Sequence, residues 1–510
     1  MPYVNPPNLS NPPMETLFQR PNILLILCDD MGYSDIGCYG SEIHTPHIDR
    51  LAREGIRLSH GYNAARCCPT RASLLTGLYP HQAGMGGMVK GTGTGPYQGF
   101  LNDQCVTIAE VLRESGYSTA MSGKWHVGED EAHWPMKRGF ESYYGLISGA
   151  MNYFDISKTK APGVVRRFAR DDRTHTPGHE GFYITDAITD NAIRMLQDAC
   201  RKERPFFQYV AYTAPHWPLH ALPEDIERYR GTYRKGWDTL REERYARLLQ
   251  MGMLDSRWKL SPRDKEAQPW TEIPNPMEMD LKMAVYAGQI DRMDQGIGRI
   301  LDELDNQDKA DNTLVLFLSD NGGCHEGGPW GFDRRKNGLP PGGVDSYMSY
   351  GLSWANASNT PFRLYKQYIH EGGISTPWIF RWPKRIKAPG SIDHQVCHII
   401  DIMATCCDLA CATYPEEFQG RKILPLEGKT LRPILEGKRR DPHEALFWEH
   451  FGNQGIRKGD WKLVSVKNEN WELYNLEEDR TEQNNLILKY PQKASELRDC
   501  HTRWTERVGV

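Results

Sequence analysis

The sequence lacks any long hydrophobic run and any excess of one charge. Its longest aliphatic runs, residues 23–27 and 314–318, are far shorter than the roughly 18 residues that a membrane-spanning helix needs. The 62 lysines and arginines nearly balance the 66 aspartates and glutamates, and there is no arginine-rich low-complexity tract. We therefore expect neither a membrane protein nor a general nucleic-acid-binding protein.

A regular disulfide framework is also missing. The twelve cysteines include two adjacent pairs, which favours mostly buried free thiols in a reducing compartment. Cys406, Cys407 and Cys411 could suggest a metal site, but residues 399–409 have the pattern of a buried helix, so we expect no metal there. The first 20 residues carry five prolines and no apolar core of a secretion signal. This predicts a cytoplasmic protein, or a periplasmic one if a leader was removed.

The chain is rich in aromatic residues and in alternating local patterns. Short aliphatic runs alternate with helical patterns such as the one over residues 283–304, which indicates an α/β fold with a large, mixed, mostly parallel sheet flanked by helices. We expect an arm at residues 1–20, a main domain at 21–436 and a small α+β domain at 437–510. The last of these has strand-like runs at 461–466 and 471–474 and a closing helix at 490–507.

Polar side chains follow four of the predicted buried strands. In open α/β sheets ligands bind at the carboxyl ends of the strands, so these side chains are expected to share one crevice. The residues at these ends are Asp29, Asp30, Lys124, His126, His216, Asp320 and Asn321. Clustered carboxylates repel one another without a cation, and oxygen ligands favour Ca²⁺ or Mg²⁺ over Zn²⁺. The alternative is that one carboxylate only caps the next helix.

A fifth feature is the segment Cys67-Cys68-Pro69-Thr70-Arg71. Pro69 suits the first turn of a helix, which places Cys67 at a helix N-terminus where anions are favoured. Arg71 lies one turn further on and can reach the face that carries Cys67. A nucleophile, a helix N-terminus and an arginine suit attack on a sulfate or phosphate ester; the alternative is a pair of inert buried thiols.

The same segment resembles the Cys-x-Pro-x-Arg signature of the type I sulfatases of the alkaline phosphatase superfamily. Leu75-Thr76-Gly77 is similar to the usual continuation of that signature. The resemblance extends over nearly the whole chain, through Gly123-Lys124-Trp125-His126, Ala214-Pro215-His216, Asp320-Asn321-Gly322 and Trp471-Glu472-Leu473-Tyr474. Within the family the sequence looks closest to the bacterial arylsulfatases. The resemblance implies an alkaline phosphatase-like fold and hydrolysis of sulfate monoesters.

The resemblance also implies the nucleophile. Cys67 is the position that a maturation enzyme oxidises to formylglycine, whose hydrated diol attacks sulfur and forms a covalent sulfate ester. The second hydroxyl then expels sulfate and regenerates the aldehyde. Thr70 stands where the family usually has Ser or Ala, which leaves the efficiency of this conversion open.

Roles for the other residues follow from the resemblance position by position. Ca²⁺, with Mg²⁺ as the second choice, is held by Asp29, Asp30, Asp320, Asn321 and the modified Cys67. Asp320 also takes a proton from the diol, and Arg71 holds the diol. Lys124 and Lys366 grip the sulfate oxygens, His126 assists collapse of the adduct, and His216 protonates the leaving oxygen. Lys366 is placed only through the segment Pro361-Phe362-Arg363-Leu364-Tyr365-Lys366, and its alternative is a solvated helix lysine.

Two other functions stay open at this point. A phosphonate or phosphate ester hydrolase could use the same scaffold, although the zinc phosphatases of the superfamily typically carry Asp-His where this chain has Asp320-Asn321. An unconverted chain could instead be a non-catalytic binder of sulfated glycans through the basic cluster of Arg166, Arg167, Arg170 and Arg173, for which a solvated loop is the alternative. The resemblance implies a small-molecule or saccharide sulfate ester as substrate, and no residue specifies which.

Overall fold

The computed structural model describes residues 20–178 and 180–510. The predicted arm at residues 1–20 lies outside this part of the chain, apart from Arg20. No helix in the described residues is both long and apolar enough to cross a membrane.

One ten-stranded sheet forms the centre of the molecule. Its strands are β1 (Asn22–Asp29), β2 (Ile56–Leu58), β4 (Ser118–Gly123), β5 (Ser142–Leu146), β6 (Phe168–Arg170), β7 (Arg173–Thr174), β8 (Phe206–Pro215), β9 (Thr313–Ser319), β10 (Trp378–Arg381) and β11 (Ser391–Asp393). They are ordered β11-β2-β10-β9-β1-β8-β4-β5-β6-β7. The central strands β9, β1, β8, β4 and β5 run parallel, and antiparallel pairs extend both edges. This confirms the predicted mixed, mostly parallel sheet.

The central strands are buried on both faces. In β1, Leu24 and Ile26 belong to the core on one side of the sheet, while Leu25 and Leu27 belong to the core on the other. Successive side chains of a strand point to opposite faces, so a strand covered on both sides needs an unbroken aliphatic run. This explains the aliphatic run at residues 23–27. The run is followed by Asp29 and Asp30, where the strand reaches the site.

Twelve helices lie along the described residues. They are α1 (Pro46–Glu54), α2 (Cys67–Thr76), α3 (Ile108–Glu114), α4 (Ile184–Cys200), α5 (Pro223–Glu227), α6 (Gly236–Gln250), α7 (Pro276–Asn306), α8 (Gly351–Ser358), α9 (Glu371–Ile374), α10 (Asp401–Ala410), α11 (Arg432–Leu435) and α12 (Pro491–Val508). The predicted helix over 283–304 is the larger part of α7. It begins earlier because Asn275 caps it by accepting from Glu278 N, and Pro276 fits its first turn.

The C-terminal residues form a small sheet with a closing helix, as predicted. The strands β15 (Leu446–His450), β16 (Asn453–Lys458), β17 (Trp461–Ser465) and β18 (Glu472–Asn475) pair antiparallel in chain order. The helix α12 packs on β16 and β17. The boundary between residues 436 and 437 stays a prediction. Two minor pairs complete the described strands: β3 (Gly61–Tyr62) with β12 (Cys397–His398), and β13 (Glu417–Phe418) with β14 (Arg421–Lys422).

The C-terminal sheet is joined to the main domain by buried charges. Lys462 of β17 lies 2.9 Å from Glu371 and 2.8 Å from Glu482, and all three side chains are fully buried. Glu482 also accepts a hydrogen bond from the backbone N–H of Glu371 through its carboxylate and one from the Arg363 guanidinium through its backbone carbonyl. Since Arg363 and Glu371 lie on either side of Lys366 in the sequence, Glu482 anchors both flanks of the segment that carries this lysine.

All twelve cysteines are free thiols, and eight are buried. Cys406 and Cys407 lie inside α10, while Cys411 is exposed just beyond it in a left-handed conformation. In the described part of the chain these three do not form a cluster of metal-binding atoms. The predictions of free thiols and of a buried helix at residues 399–409 are thus in accord with the structure.

Candidate active site

The predicted site residues converge at the carboxyl ends of the central strands. Asp29 and Asp30 follow β1, Lys124 and His126 follow β4, His216 follows β8, and Asp320 and Asn321 follow β9. The strand β8 continues to Pro215, and a register irregularity with β1 pairs Asp29 with Pro215. The helix α2 begins at Cys67, as predicted. Lys366 comes from the segment between α8 and α9.

The cations of the site pair one by one with its carboxylates. Lys124 Nζ lies 2.6 Å from Asp29 Oδ2, and Lys366 Nζ lies 2.7 Å from Asp30 Oδ2. Arg71 Nη2 lies 2.8 Å from Asp320 Oδ2, and Arg71 Nη1 donates to the carbonyl of Lys124. All six side chains are at most 1% exposed. The charges of three carboxylates and three cations therefore balance one another within this buried site.

The carboxylate cluster also holds unsatisfied oxygen atoms. Asn321 Nδ2 donates to Asp30 Oδ1 at 2.7 Å, and the backbone N–H of Asp30 donates to Asp320 Oδ1. Asp29 Oδ1 and Asn321 Oδ1 are buried and accept no hydrogen bond from any described residue. Buried polar atoms without a partner are costly, so these two oxygens call for a ligand. A hard cation supplies one, and the residues present therefore fit such an ion.

The ionisation of the carboxylates supports the same reading. Burial raises the pKa of Asp320, and the charge of Asp29 raises it further, against the effect of Arg71 and Lys124. Burial likewise raises the pKa of Asp29 despite Lys124 and Arg71. Asp30 behaves differently, because Lys366 and His216 outweigh burial and lower its pKa. A cation at the cluster would favour the ionised form of all three carboxylates.

Cys67 lies beside this cluster at the N-terminus of α2. It is 2% exposed, and its thiolate charge raises the pKa values of Asp29, Asp30 and Asp320. A hydrogen bond with Cys68 lowers the pKa of the Cys67 thiol well below its usual range, and the charge of Lys124 adds to this against burial. Cys67 thus lies at the N-terminus of α2 with a lowered thiol pKa, and its role as the nucleophile stays a prediction.

Both predicted histidines are held as neutral rings. Burial lowers the pKa of His126 to about 3 and that of His216 to about 4. His216 Nδ1 lies 2.6 Å from the carbonyl oxygen of Trp217, which can only accept, so Nδ1 carries the proton. His216 Nε2 then lies 3.4 Å from both Lys366 Nζ and Asp30 Oδ2. Cis peptide bonds before Pro215 and Pro218 flank this histidine.

Sequence reasoning missed a second set of side chains beside the site. Arg66 Nη2 lies 3.2 Å from Glu326 Oε1, and Trp217 Nε1 donates to Glu326 Oε2 at 2.8 Å. The charges of Lys366 and Arg66 lower the pKa of Glu326 against burial, which places this carboxylate near the site. The buried Cys324 lies with its sulfur 3.9 Å from Lys366 Nζ. No motif marks these positions; only the closeness of Arg66, Trp217 and Cys324 to Cys67, His216 and Asn321 in the chain could have indicated them.

The predicted arginine cluster does not act as one patch. Arg167 pairs with Asp130 at 3.0 Å, Arg170 stacks over Tyr144, and the nearest acidic partner of the exposed Arg173 is Asp172. Arg166 instead faces Tyr347, whose pKa is raised by burial and lowered in part by Arg166 and Arg334. Only Arg166 therefore approaches the aromatic residues near His216.

The geometry of the site points to a class of enzyme. A buried carboxylate cluster that fits a cation, a thiol with a lowered pKa at a helix N-terminus and three basic side chains suit hydrolysis of an ester of a tetrahedral oxyanion. Known proteins give the same result. A family model described as Sulfatase matches residues 21–412, and one described as N-sulphoglucosamine sulphohydrolase, C-terminal, matches residues 362–506.

Several relatives are similar over most of their length. An uncharacterised sulfatase of Schizosaccharomyces pombe is 36% identical, with 96% of this chain and 94% of the relative covered. An arylsulfatase of Klebsiella aerogenes is 34% identical, with coverages of 84% and 95%. The crystal structure of Ps i-CgsB has a TM-score of 0.71 and 28% identity, with coverages of 96% and 93%. The chain belongs to the sulfatase family, and it is a hydrolase of sulfuric esters.

Proposed function

We propose that the protein hydrolyses sulfate monoesters with Cys67 as the nucleophile, after a maturation enzyme has converted it to formylglycine. The observation that carries this proposal is the position of Cys67, which begins α2 beside three cations and three carboxylates. The converted residue supplies an aldehyde whose hydrate is the attacking group. The phosphonate and phosphate hydrolase alternatives are not favoured by the relatives, and an unconverted glycan binder is not favoured either.

We also propose that the carboxylate cluster holds Ca²⁺, with Mg²⁺ as the second choice. Asp29, Asp30, Asp320 and Asn321 supply oxygen donors, two of which accept no hydrogen bond from any described residue. When bound, the ion offsets the repulsion between the carboxylates and polarises the sulfate group. Oxygen-only donors favour these hard ions over Zn²⁺.

The basic side chains of the site receive the sulfate in this proposal. Lys124 and Lys366 turn from their aspartate partners toward the sulfate oxygens, where they offset charge that develops in the transition state. Arg71 stays paired with Asp320 and orients it toward Cys67, so that Asp320 accepts a proton from the nucleophile. His126, close to the Cys67 sulfur, assists the release of sulfate.

His216 delivers a proton to the leaving oxygen in this proposal. The neutral His216 ring has its proton on Nδ1, so Nε2 is an acceptor in the absence of substrate. Nε2 lies 3.4 Å from Asp30 Oδ2, whose charge favours protonation of the ring. Nε2 therefore takes up a proton from solvent before it donates to the leaving oxygen.

The rim near His216 favours a saccharide that carries a second anionic group. Trp217 packs edge-on against Phe332, and the guanidinium of Arg334 lies over that ring at 4.3 Å. Burial and the charges of Arg166 and Arg334 lower the pKa of Lys160, which shows that these cations share one region. Ps i-CgsB, which is 28% identical to this chain, has a solved structure in complex with a neocarrahexaose. This supports a sulfated saccharide as substrate.

The test combines mass and activity. Protein from a host with the maturation enzyme should show the mass change to formylglycine on the Cys67 peptide and hydrolyse an aryl sulfate. Cys67→Ala should lose this activity, whereas Cys407→Ala, in the other adjacent cysteine pair, should keep it. Full activity of Cys67→Ala would overturn the proposal. A higher kcat/KM for a phenylphosphonate monoester than for the aryl sulfate would instead favour the phosphonate hydrolase.

A further inference from the structure

A second cluster of donor atoms lies next to the carboxylate cluster. The sulfur atoms of Cys67 and Cys68 and a ring nitrogen of His126 lie within 4.8 Å of one another. The three residues are 2%, 0% and 5% exposed. This set differs in chemistry from the nearby cluster of Asp29, Asp30 and His216, because two of its three donors are sulfur.

The protein chain fixes all three donors. Cys67 and Cys68 are the first two residues of α2, so their backbone is held by the helix. The backbone N–H of His126 donates to the carbonyl of Ile147, and a Cβ at Gly149 would lie 2.4 Å from the His126 ring, so the glycine is needed for the ring position. His126 Nδ1 is buried and has no hydrogen-bond partner among the described residues. The histidine therefore has a donor atom that the fold leaves unused.

We propose that the unconverted chain, in which Cys67 is still a thiol, binds one Zn²⁺ or similar thiophilic cation through Cys67, Cys68 and His126. Tetrahedral zinc with bonds of about 2.3 Å to sulfur and about 2.0 Å to nitrogen places its donors about 3.5 to 3.8 Å apart. Since the donors lie within 4.8 Å of one another, each pair needs to close by at most about 1.3 Å. Three protein ligands leave the fourth position for water.

The charges around the cluster are compatible with this ion. The ion binds both sulfur atoms as thiolates, any thiol proton still present is released to solvent, and the two thiolates neutralise the dication without any redox step. The nearby cations do not add an uncompensated charge, because Lys124 is paired with Asp29 and Arg71 with Asp320. Soft sulfur donors select Zn²⁺ or Cd²⁺ over Ca²⁺ and Mg²⁺. Binding by the thiol form does not depend on the proposed catalytic mechanism, whereas the comparison with the converted chain rests on the proposed function.

Conversion of Cys67 changes the donor set. Formylglycine has oxygen where the thiol has sulfur, so the converted chain keeps only Cys68 and His126 as soft donors. The same modification that creates the nucleophile therefore removes the thiophilic site and adds an oxygen donor beside Asp29 and Asp30.

A cadmium titration tests the proposal. Full-length protein made without the maturation enzyme is checked by intact mass for an unmodified Cys67 and is held in excess Ca²⁺ to occupy the carboxylate cluster. Cd²⁺ is then added while the ultraviolet absorption of the cadmium–thiolate bond is recorded. We expect this absorption to saturate at one equivalent, and competition with Zn²⁺ to reverse it.

Matched variants separate this site from the other cysteines. Cys68→Ala and His126→Gln should each weaken Cd²⁺ binding at least tenfold, while Cys407→Ala should not, because its pair in α10 has no third donor. The converted protein should bind as weakly as Cys68→Ala while hydrolysing an aryl sulfate. If Cys68→Ala fails to fold in a thermal melt, His126→Gln and the converted protein still decide. Equal affinity in the thiol and converted forms, or no absorption at one equivalent, would overturn the proposal.

Discussion

Replacing Asn321 by aspartate tests whether the carboxylate cluster is built for a cation. Asn321 Nδ2 donates to Asp30 Oδ1 at 2.7 Å, so the substitution puts a carboxylate oxygen in place of a donor. At an effective dielectric constant near 20, two unit charges at this distance repel by about 6 kcal/mol, and by about 4 kcal/mol if they relax to about 4 Å. Without metal, Asn321→Asp should therefore be strongly destabilised.

Proton uptake limits that penalty and gives it a pH dependence. Protonating a carboxyl with an ordinary pKa near 4 costs about 4 kcal/mol at pH 7, and about 1.4 kcal/mol less for each pH unit below that. The native variant then binds a proton that its unfolded chain does not, so its stability falls as pH rises. We expect a loss of about 4 kcal/mol at pH 7 and of about 3 kcal/mol at pH 6.

Urea unfolding with a chelator and with excess Ca²⁺ measures these terms. Ca²⁺ should raise the free energy of unfolding of Asn321→Asp by more than that of the wild type, because a bound cation attracts both carboxylates and offsets their repulsion. Asn321→Leu is the control, since it removes the amide without adding a charge, and it should lose much of its response to Ca²⁺. Equal stability of both variants in chelator, together with the same stabilisation by Ca²⁺ as in the wild type, would show that the cluster is not built for a cation.

Three further predictions concern the C-terminal contacts and the rim. Lys462→Met should lower the free energy of unfolding by about 3–5 kcal/mol, because it leaves Glu371 and Glu482 buried without this partner. Lys458, on the neighbouring strand β16, is partly exposed, so Lys458→Met should cost about 1 kcal/mol or less. Equal losses in the two variants would contradict the role assigned to burial. Burial raises the pKa of Glu371, but Lys462 and Arg480 lower it overall to about 2. The stability that ionised Glu371 contributes is therefore complete above pH 4.5 and is lost as pH falls toward 2. In urea unfolding, Glu371→Gln should lack this loss of stability at low pH, and parallel pH profiles of the variant and the wild type would refute the prediction. Arg334→Gln should raise KM for an oligosaccharide with several sulfates and leave kcat/KM for an aryl sulfate unchanged; an equal effect on both substrates would exclude Arg334 as a specificity residue.

The parts of the site that the sequence could predict are those with a local signal. A buried strand has an unbroken aliphatic run, so the residues that end it, such as Asp29 and Asp320, can be located from the run alone. The position of Cys67 at a helix N-terminus follows from Pro69 in the same way. These predictions needed no knowledge of contacts between distant residues.

The parts that could not be predicted depend on contacts between distant segments. Glu326 reaches Arg66 across 260 positions, and Glu482 reaches Glu371 across 111. Neither pair has a spacing or periodicity that marks it. The short strands β2, β10 and β11 were not predicted for a related reason, because three or four residues are too few to show an alternating pattern.

The anchoring of Lys366 by Glu482 has a consequence for how the protein is made. A ribosome releases the chain from its N-terminus, so nearly all the residues of the site emerge well before Glu482 and Lys462. Until these two residues are available, Glu371 has neither its ammonium partner nor the acceptor for its backbone N–H, and Arg363 lacks one of its acceptors. The segment with Lys366 therefore lacks these contacts until Glu482 has emerged from the ribosome.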